Sequence, residues 1–106
     1  MTPAQLRVFV TVAEMEHMTR AAQVLNMTQS TASAAIAALE NRHEVKLFDR
    51  VGRGIALTQE GRAFLPEARA VLAQIAEAEA ALAETRGLAR GHIRIVPGQQ
   101  LPLDIW

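Results

Sequence analysis

The sequence predicts a mostly α protein, with three short helices and a two-stranded β-hairpin followed by one long helix. Three observations carry this. Apolar residues recur at helical spacing through successive stretches between Leu6 and Leu39. Two apolar segments, Leu47-Phe48 and Ile55-Ala56-Leu57, flank the glycine-containing stretch DRVGRG. From Phe64 onward, apolar positions step by 4, 3, 4, 3 and 4 residues.

The bounds agree with a small helical protein. The chain has 106 residues, enough for one compact domain and an extension. Half of the residues are hydrophobic and none is cysteine, which excludes disulfides and cysteine-based metal sites. The start, MTPAQLRVFV, lacks the basic and long apolar regions of a signal peptide. No apolar run approaches the ~18 residues of a membrane span, so the expectation is a cytoplasmic chain without a membrane partner.

Eleven Lys and Arg balance eleven Asp and Glu, so overall charge announces no partner. The distribution says more. No carboxylate lies between Glu16 and Glu40, and Arg20 sits in that gap. Lys46, Arg50 and Arg53 form a second basic group, interrupted only by Asp49. Stretches of this kind can lie against phosphates, although ordinary helical cores contain such gaps too.

The first helix is signalled by Thr2-Pro3-Ala4-Gln5, a capping box with proline at the first helical position. Leu6, Phe9, Val10 and Ala13 then form one apolar stripe, and the helix is expected from about Pro3 to Glu16. Thr19 is expected to cap a second helix, Arg20 to Leu25, that buries Ala22 and Leu25. Thr28 is expected to cap a third, in which Ala32, Ile36 and Leu39 make the buried stripe.

On that third helix Ser30, Ser33, Ala34 and Ala37 fall opposite the buried stripe, and Gln29 lies in the first turn. A helix facing only water usually carries lysine, arginine or glutamate there. A slim, uncharged face suits close approach to another surface, and the major groove of B-DNA admits one helix. Two short helices in this arrangement are a helix-turn-helix. Gly52 and Gly54 permit the positive φ of a tight turn, which puts Arg53 at the tip of a hairpin. The whole reads as a winged helix-turn-helix: three helices plus a two-stranded β wing.

The long helix is expected from Thr58 to near Gly87. Phe64, Ala68, Val71, Ile75, Ala78 and Leu82 form a coiled-coil-like seam, widened by Leu65 and Leu72. Too little domain is left to cover all of it, so the expected partner is a second copy of the chain. Pro66 should bend this helix near Arg62 or mark the start of its regular part. In the last segment, GHIRIVPGQQLPLDIW, Ile93 and Val96 suggest a strand, the beginning of a further domain.

Other polar residues take plainer readings. His17, His43 and His92 share no ligand-like spacing, so no metal site is expected. Glu14, Glu16, Glu40 and Glu44 read as solvated helix faces or i,i+4 partners, not as an acid/base pair. Met15, Met18 and Met27 read as packing in the core or turns. No nucleophile–base pair or phosphate loop is present to suggest an enzyme. A winged helix can also serve as a protein-binding adaptor, and the neutral net charge leaves that alternative open.

At this point QLRVFVTVAE, TRAAQVLNMTQSTASAAIAALE, KLFDRVGRGIALTQEG and FLPEAR together resemble the N-terminal part of LysR-type transcriptional regulators. The resemblance covers roughly residues 3 to 96. It implies a winged helix-turn-helix DNA-binding domain over 1–57 and a linker helix over 58–87 that pairs antiparallel with a second subunit. Residues 88–106 would begin an effector-binding domain. It implies double-stranded operator DNA as the partner, a homodimer or a full-length tetramer, and RNA polymerase as a further contact of the full-length protein. It implies no cofactor in this chain and a small-molecule effector for the C-terminal domain. Thr28, Gln29, Ser30, Ser33 and Ala34 match the family's DNA-contacting positions, and Arg53 matches a wing arginine that enters the minor groove. Arg20 and Arg50 join them as candidate phosphate contacts. Phe64, Ala68, Val71, Leu72, Ile75, Ala78 and Leu82 are the candidate dimer contacts. Two departures stand out. The family often has proline at the position of Ser30 and arginine at that of Ala34, so the recognised sequence should differ and affinity be weaker.

Overall fold

The computed structural model describes residues 1–89, with side chains as far as residue 86. The expected strand around Ile93 and Val96, and nearly all of the expected further domain, lie outside the described residues.

Helix α1 spans Pro3–Met15 and starts as the capping box dictates. The Gln5 N–H donates to Thr2 Oγ1 at 3.1 Å, and the Thr2 N–H donates to Gln5 Oε1 at 3.0 Å. Glu16, with φ of 52°, turns the chain out of the helix one residue sooner than expected. Helix α2 spans Met18–Val24, and here the sequence reading fails. His17, not Thr19, is its N-cap: the Arg20 N–H donates to His17 Nδ1 at 3.0 Å. Asn26, at φ of 58°, makes the turn into helix α3, Gln29–His43, which Thr28 caps as expected.

Strands β1, Phe48–Val51, and β2, Gly54–Leu57, pair antiparallel with Phe48 opposite Leu57 and Val51 opposite Gly54. Of the two hairpin glycines, Gly52 takes a positive φ, 57°, the role glycine fills at the first loop position of a tight hairpin. Gly54 needs no such freedom, contrary to expectation. Helix α4 spans Gln59–Ala89. It is already regular before Pro66 and runs through it, so Pro66 does not mark its start.

Residues Met1–Gln74 form one compact unit; a second begins at Ile75, and its described part is the later stretch of α4. The core of the first unit centres on Phe9, which is 0% exposed. Its ring lies 5.5 Å from that of Phe48 and 5.1 Å from that of Phe64, both in tilted geometry. Leu6, Val12, Ala21, Ile36 and Leu39 complete the junction of α1, α2 and α3. Burying each large apolar side chain stabilises the unit by about 1.5–3 kcal/mol.

Phe64 and Ala68 correct the sequence reading. Both were expected to await a partner, yet Phe64 packs against Phe9, and Ala68 is 0% exposed in the same core. Leu65 and Leu72 pack against that core as well. The chain's own first helix is near enough to cover the beginning of the seam. Val71 (44% exposed) and Leu82 (70%) are the large seam residues left open.

Two polar ties hold the wing to the helices. The Thr58 hydroxyl donates to the Lys46 carbonyl at 2.6 Å and accepts the Gly61 N–H at 2.9 Å, capping α4 while anchoring the segment before β1. Glu40 on α3 accepts the N–H groups of Leu47 at 2.7 Å and Phe48 at 3.3 Å. It is half-buried and bonded, not the solvated residue expected. Gly61 is needed for this approach, because a Cβ there would collide with the Leu47 carbonyl oxygen.

Candidate nucleic-acid interface

The orientation of α3 follows from its buried side. Ala32, Ile36 and Leu39 face the core, and Ala21 and Ala22 of α2 pack in the same cluster. Small side chains on both helices let them approach closely. The opposite side of α3 is thereby turned outward: Gln29, Ser30, Ala34 and Ala37 are exposed and Ser33 is half-buried. The first turn carries no acidic residue. Nothing on this surface repels an anion, and its short side chains leave room for one.

The helix start is held by hydroxyls. Thr28 Oγ1 accepts the Thr31 N–H at 3.1 Å, its hydroxyl donates to Thr31 Oγ1 at 2.8 Å, and Ser30 Oγ lies 3.2 Å away. Thr28 is therefore occupied as a cap, and Ser30 is partly drawn into the same network. Gln29 is held from another element, because Thr19 on α2 donates its hydroxyl to Gln29 Oε1 at 3.0 Å.

The wing completes the surface. Arg50 on β1 and Arg53 in the hairpin loop line a cleft of about 130 Å³ together with Gln29, Ser33, His17 and Thr19. Four of the eight candidate DNA-binding residues, Gln29, Ser33, Arg50 and Arg53, thus meet around one concavity. Thr28, Ser30, Ala34 and Arg20 are not among its lining. The Arg20 side chain is exposed on α2, with its backbone N–H bound to His17. Among the described residues the single ion pair joins Arg69 to Glu14 at 3.0 Å, so Arg20, Arg50 and Arg53 keep their charge for a partner. No group of metal-ligating residues occurs among the described residues.

Two contributors escaped the sequence reading. Histidine is not a usual N-cap, and only its position three residues before Arg20 hints at the role of His17. Thr19 reads from the sequence as a cap, and no local signal reports its link to Gln29, ten residues on.

A helix with an open, uncharged face beside an arginine-bearing β-hairpin defines a winged helix-turn-helix DNA-binding module. The family model for the bacterial regulatory helix-turn-helix protein, lysR family, matches residues 3–62. That is more than half of the chain, and the chain belongs to the LysR family of transcriptional regulators. An uncharacterized HTH-type transcriptional regulator of Azotobacter vinelandii is 37% identical over 100 residues, which are 94% of this chain and 69% of the relative. A probable hydrogen peroxide-inducible genes activator of Mycobacterium xenopi is 44% identical over 94 residues, 89% of this chain and 50% of its own length. Among solved structures, the CbnR DNA-binding domain in complex with DNA superposes with a TM-score of 0.69 at 36% identity, covering 87% of this chain and all of that one. Full-length CbnR with its target DNA gives 0.74 at 37% identity, covering 86% of this chain and 31% of that one. The chain therefore spans about a third of the full-length regulator it resembles.

Proposed function

We propose that the chain binds a specific double-stranded operator as a homodimer. In this reading α3 enters the major groove, and the wing enters the adjacent minor groove through Arg53. Gln29 and Ser33 contact base edges, where Gln29 can pair bidentately with adenine. Ser30, Ala34 and Ala37 lie close to bases or thymine methyls, Thr28 keeps the helix start in place, and Arg20 and Arg50 meet phosphates. The observation that carries the reading is the cleft that gathers Gln29, Ser33, Arg50 and Arg53 on one carboxylate-poor surface. The CbnR DNA-binding domain, of similar fold and size, is bound to DNA in its own structure, which supports the same use here.

Dimerisation belongs to this reading through α4, with a narrower set of contacts than the seam spacing alone suggests. Val71, Ile75, Ala78 and Leu82 are the proposed pairing residues. Phe64, Ala68 and Leu72 contribute by fixing the start of α4 to the core. The functional division stays at 1–57 for DNA binding and 58–87 for the linker helix, with 88–106 opening an effector-binding domain. A small-molecule effector, tetramer formation and contact with RNA polymerase are proposals for a full-length protein. A cytoplasmic setting, where operator DNA lies, completes the reading; no helix among the described residues is long and apolar enough to cross a membrane.

Enrichment of duplexes from a random pool tests the reading. The expected product is one pseudo-palindromic sequence, because a two-fold dimer meets two half-sites. Folded protein that enriches no sequence and shifts no duplex at low salt would favour the protein-binding adaptor instead.

A further inference from the structure

Gln29 is the longest polar side chain in the first turns of α3, where its polar neighbours are Ser30, Thr31 and Ser33. Its carboxamide has an acceptor at one end and two donors at the other, and rotation of the last torsion exchanges them. In the major groove, bases are told apart by the order of donors and acceptors along their edges. A glutamine that flips freely offers both orders and discriminates poorly. One that is held offers a single order.

The structure holds it. The Thr19 hydroxyl donates to Gln29 Oε1 at 3.0 Å, joining α2 to α3. Thr19 is a firm support, because it follows the helix N-cap His17 by two residues and α2 is locked to α3 through buried Ala21, Ala22 and Ala32. Both side chains face the cleft that also receives Ser33, Arg50 and Arg53. Thr19 is exposed and has no core packing of its own to explain it.

We propose that Thr19 is a positioning residue for base selection, acting through Gln29. It keeps the amide oxygen on the α2 side. The two Nε2–H donors, and one oxygen lone pair, are left for a base edge. The edge selected is one that presents acceptor and donor in the complementary order, as adenine does with N7 and N6, whereas guanine presents two acceptors. Binding strength to phosphates is not its task. This inference rests on the reading that α3 enters the major groove.

The test is enrichment from randomised duplexes by the whole chain, comparing the unmutated protein with Thr19→Val, Thr19→Ala, Thr19→Ser, Gln29→Ala and Thr19→Val/Gln29→Ala. Valine keeps the shape of threonine without its hydroxyl, and alanine reads the same loss with different packing. Both should reduce discrimination roughly threefold to tenfold, the scale of one hydrogen bond, at the base position where Gln29→Ala abolishes it. Thr19→Ser should retain the preference. Affinity for non-specific duplex, and its salt dependence, should not change. In the Gln29→Ala background, Thr19→Val should add nothing. Unchanged base preference in Thr19→Val and Thr19→Ala overturns the proposal. So does a uniform loss on all duplexes with a shallower salt slope that persists beside Gln29→Ala, which makes Thr19 a phosphate contact. In either case the unmutated chain still enriches a sequence. If it enriches none, the major-groove reading itself has failed, and this inference falls with it.

Discussion

Helices α3 and α4 each present a surface free of charge to their surroundings, and the two surfaces differ in what they lack. The outward side of the first half of α3 offers hydroxyls, the Gln29 carboxamide and methyl groups, and none of the exposed large hydrophobic residues lies on it. The open part of the α4 seam offers Val71, 44% exposed, and Leu82, 70% exposed. Short polar groups gain little from leaving water and much from being matched to donors and acceptors. Branched aliphatic groups gain about 25 cal/mol per Å² whatever apolar surface covers them. The first surface is suited to discrimination, the second to adhesion.

The largest effect should come from charging the second surface. Val71→Asp together with Ile75→Asp places unpaired charge in the seam, which is costly to bury. Sedimentation should show a dimer turned into a monomer, with specific DNA binding lost and the circular dichroism of the first three helices kept. An unmutated chain that sediments as a monomer at micromolar concentration would remove the argument for adhesion.

Next in size is the contrast within α4. Phe64→Ala should destabilise the Met1–Gln74 unit by about 2–4 kcal/mol in thermal or urea unfolding, since it empties the space beside Phe9. Leu82→Ala should leave unfolding of that unit within ~0.5 kcal/mol while weakening the dimer. Equal effects of the two on dimer dissociation, with no loss of stability for Phe64→Ala, would return Phe64 to the seam.

On the first surface, Gln29→Ala and Ser33→Ala should each remove ~1–3 kcal/mol of discrimination between operator and random duplex while preserving most non-specific binding. Equal losses on both duplexes would mean that these residues only set the position of the backbone. The smallest effect belongs to Arg53→Ala, below ~1.4 kcal/mol, one decade of affinity. It should be confined to operators with narrow, A/T-rich flanks, where the negative potential of the minor groove is strongest. The same loss on G/C-rich flanks would make Arg53 an ordinary phosphate contact.

How much of this was legible in the residues varies with the range of the interaction. Local devices were readable: the Thr2–Gln5 box, the Thr28 cap, the Ala32–Ile36–Leu39 stripe and the hairpin turn at Gly52 each involve residues within a few positions. The start of α2 was misread because threonine outranks histidine as an N-cap, while the chain leaves α1 at Glu16 and offers His17 first. The seam was half misread because a 4-3 spacing records that a face is apolar, not which helix covers it. Phe9 reaches Phe64 across 55 positions, and no periodicity reports such a meeting. Glu40 was missed for a similar reason, since its partners are two backbone N–H groups beyond a turn. In the candidate interface the residue types were readable, but their convergence on one cleft depended on how the wing folds back toward α2 and α3.

That Glu40 tie has a consequence for measurement of the DNA. One carboxylate spans the joint between α3 and β1, with both of its bonds made to backbone, so side-chain rotation in the wing cannot loosen it. Thr58, just after β2, ties the same open end of the hairpin to Lys46. Helix and wing are then the two jaws of a calliper with a set opening. A duplex gripped by both would have to supply the matching distance between its grooves, and one with the wrong twist would pay in bending what the jaws refuse to give. Sequence far from any side-chain contact would in that way be read as stiffness.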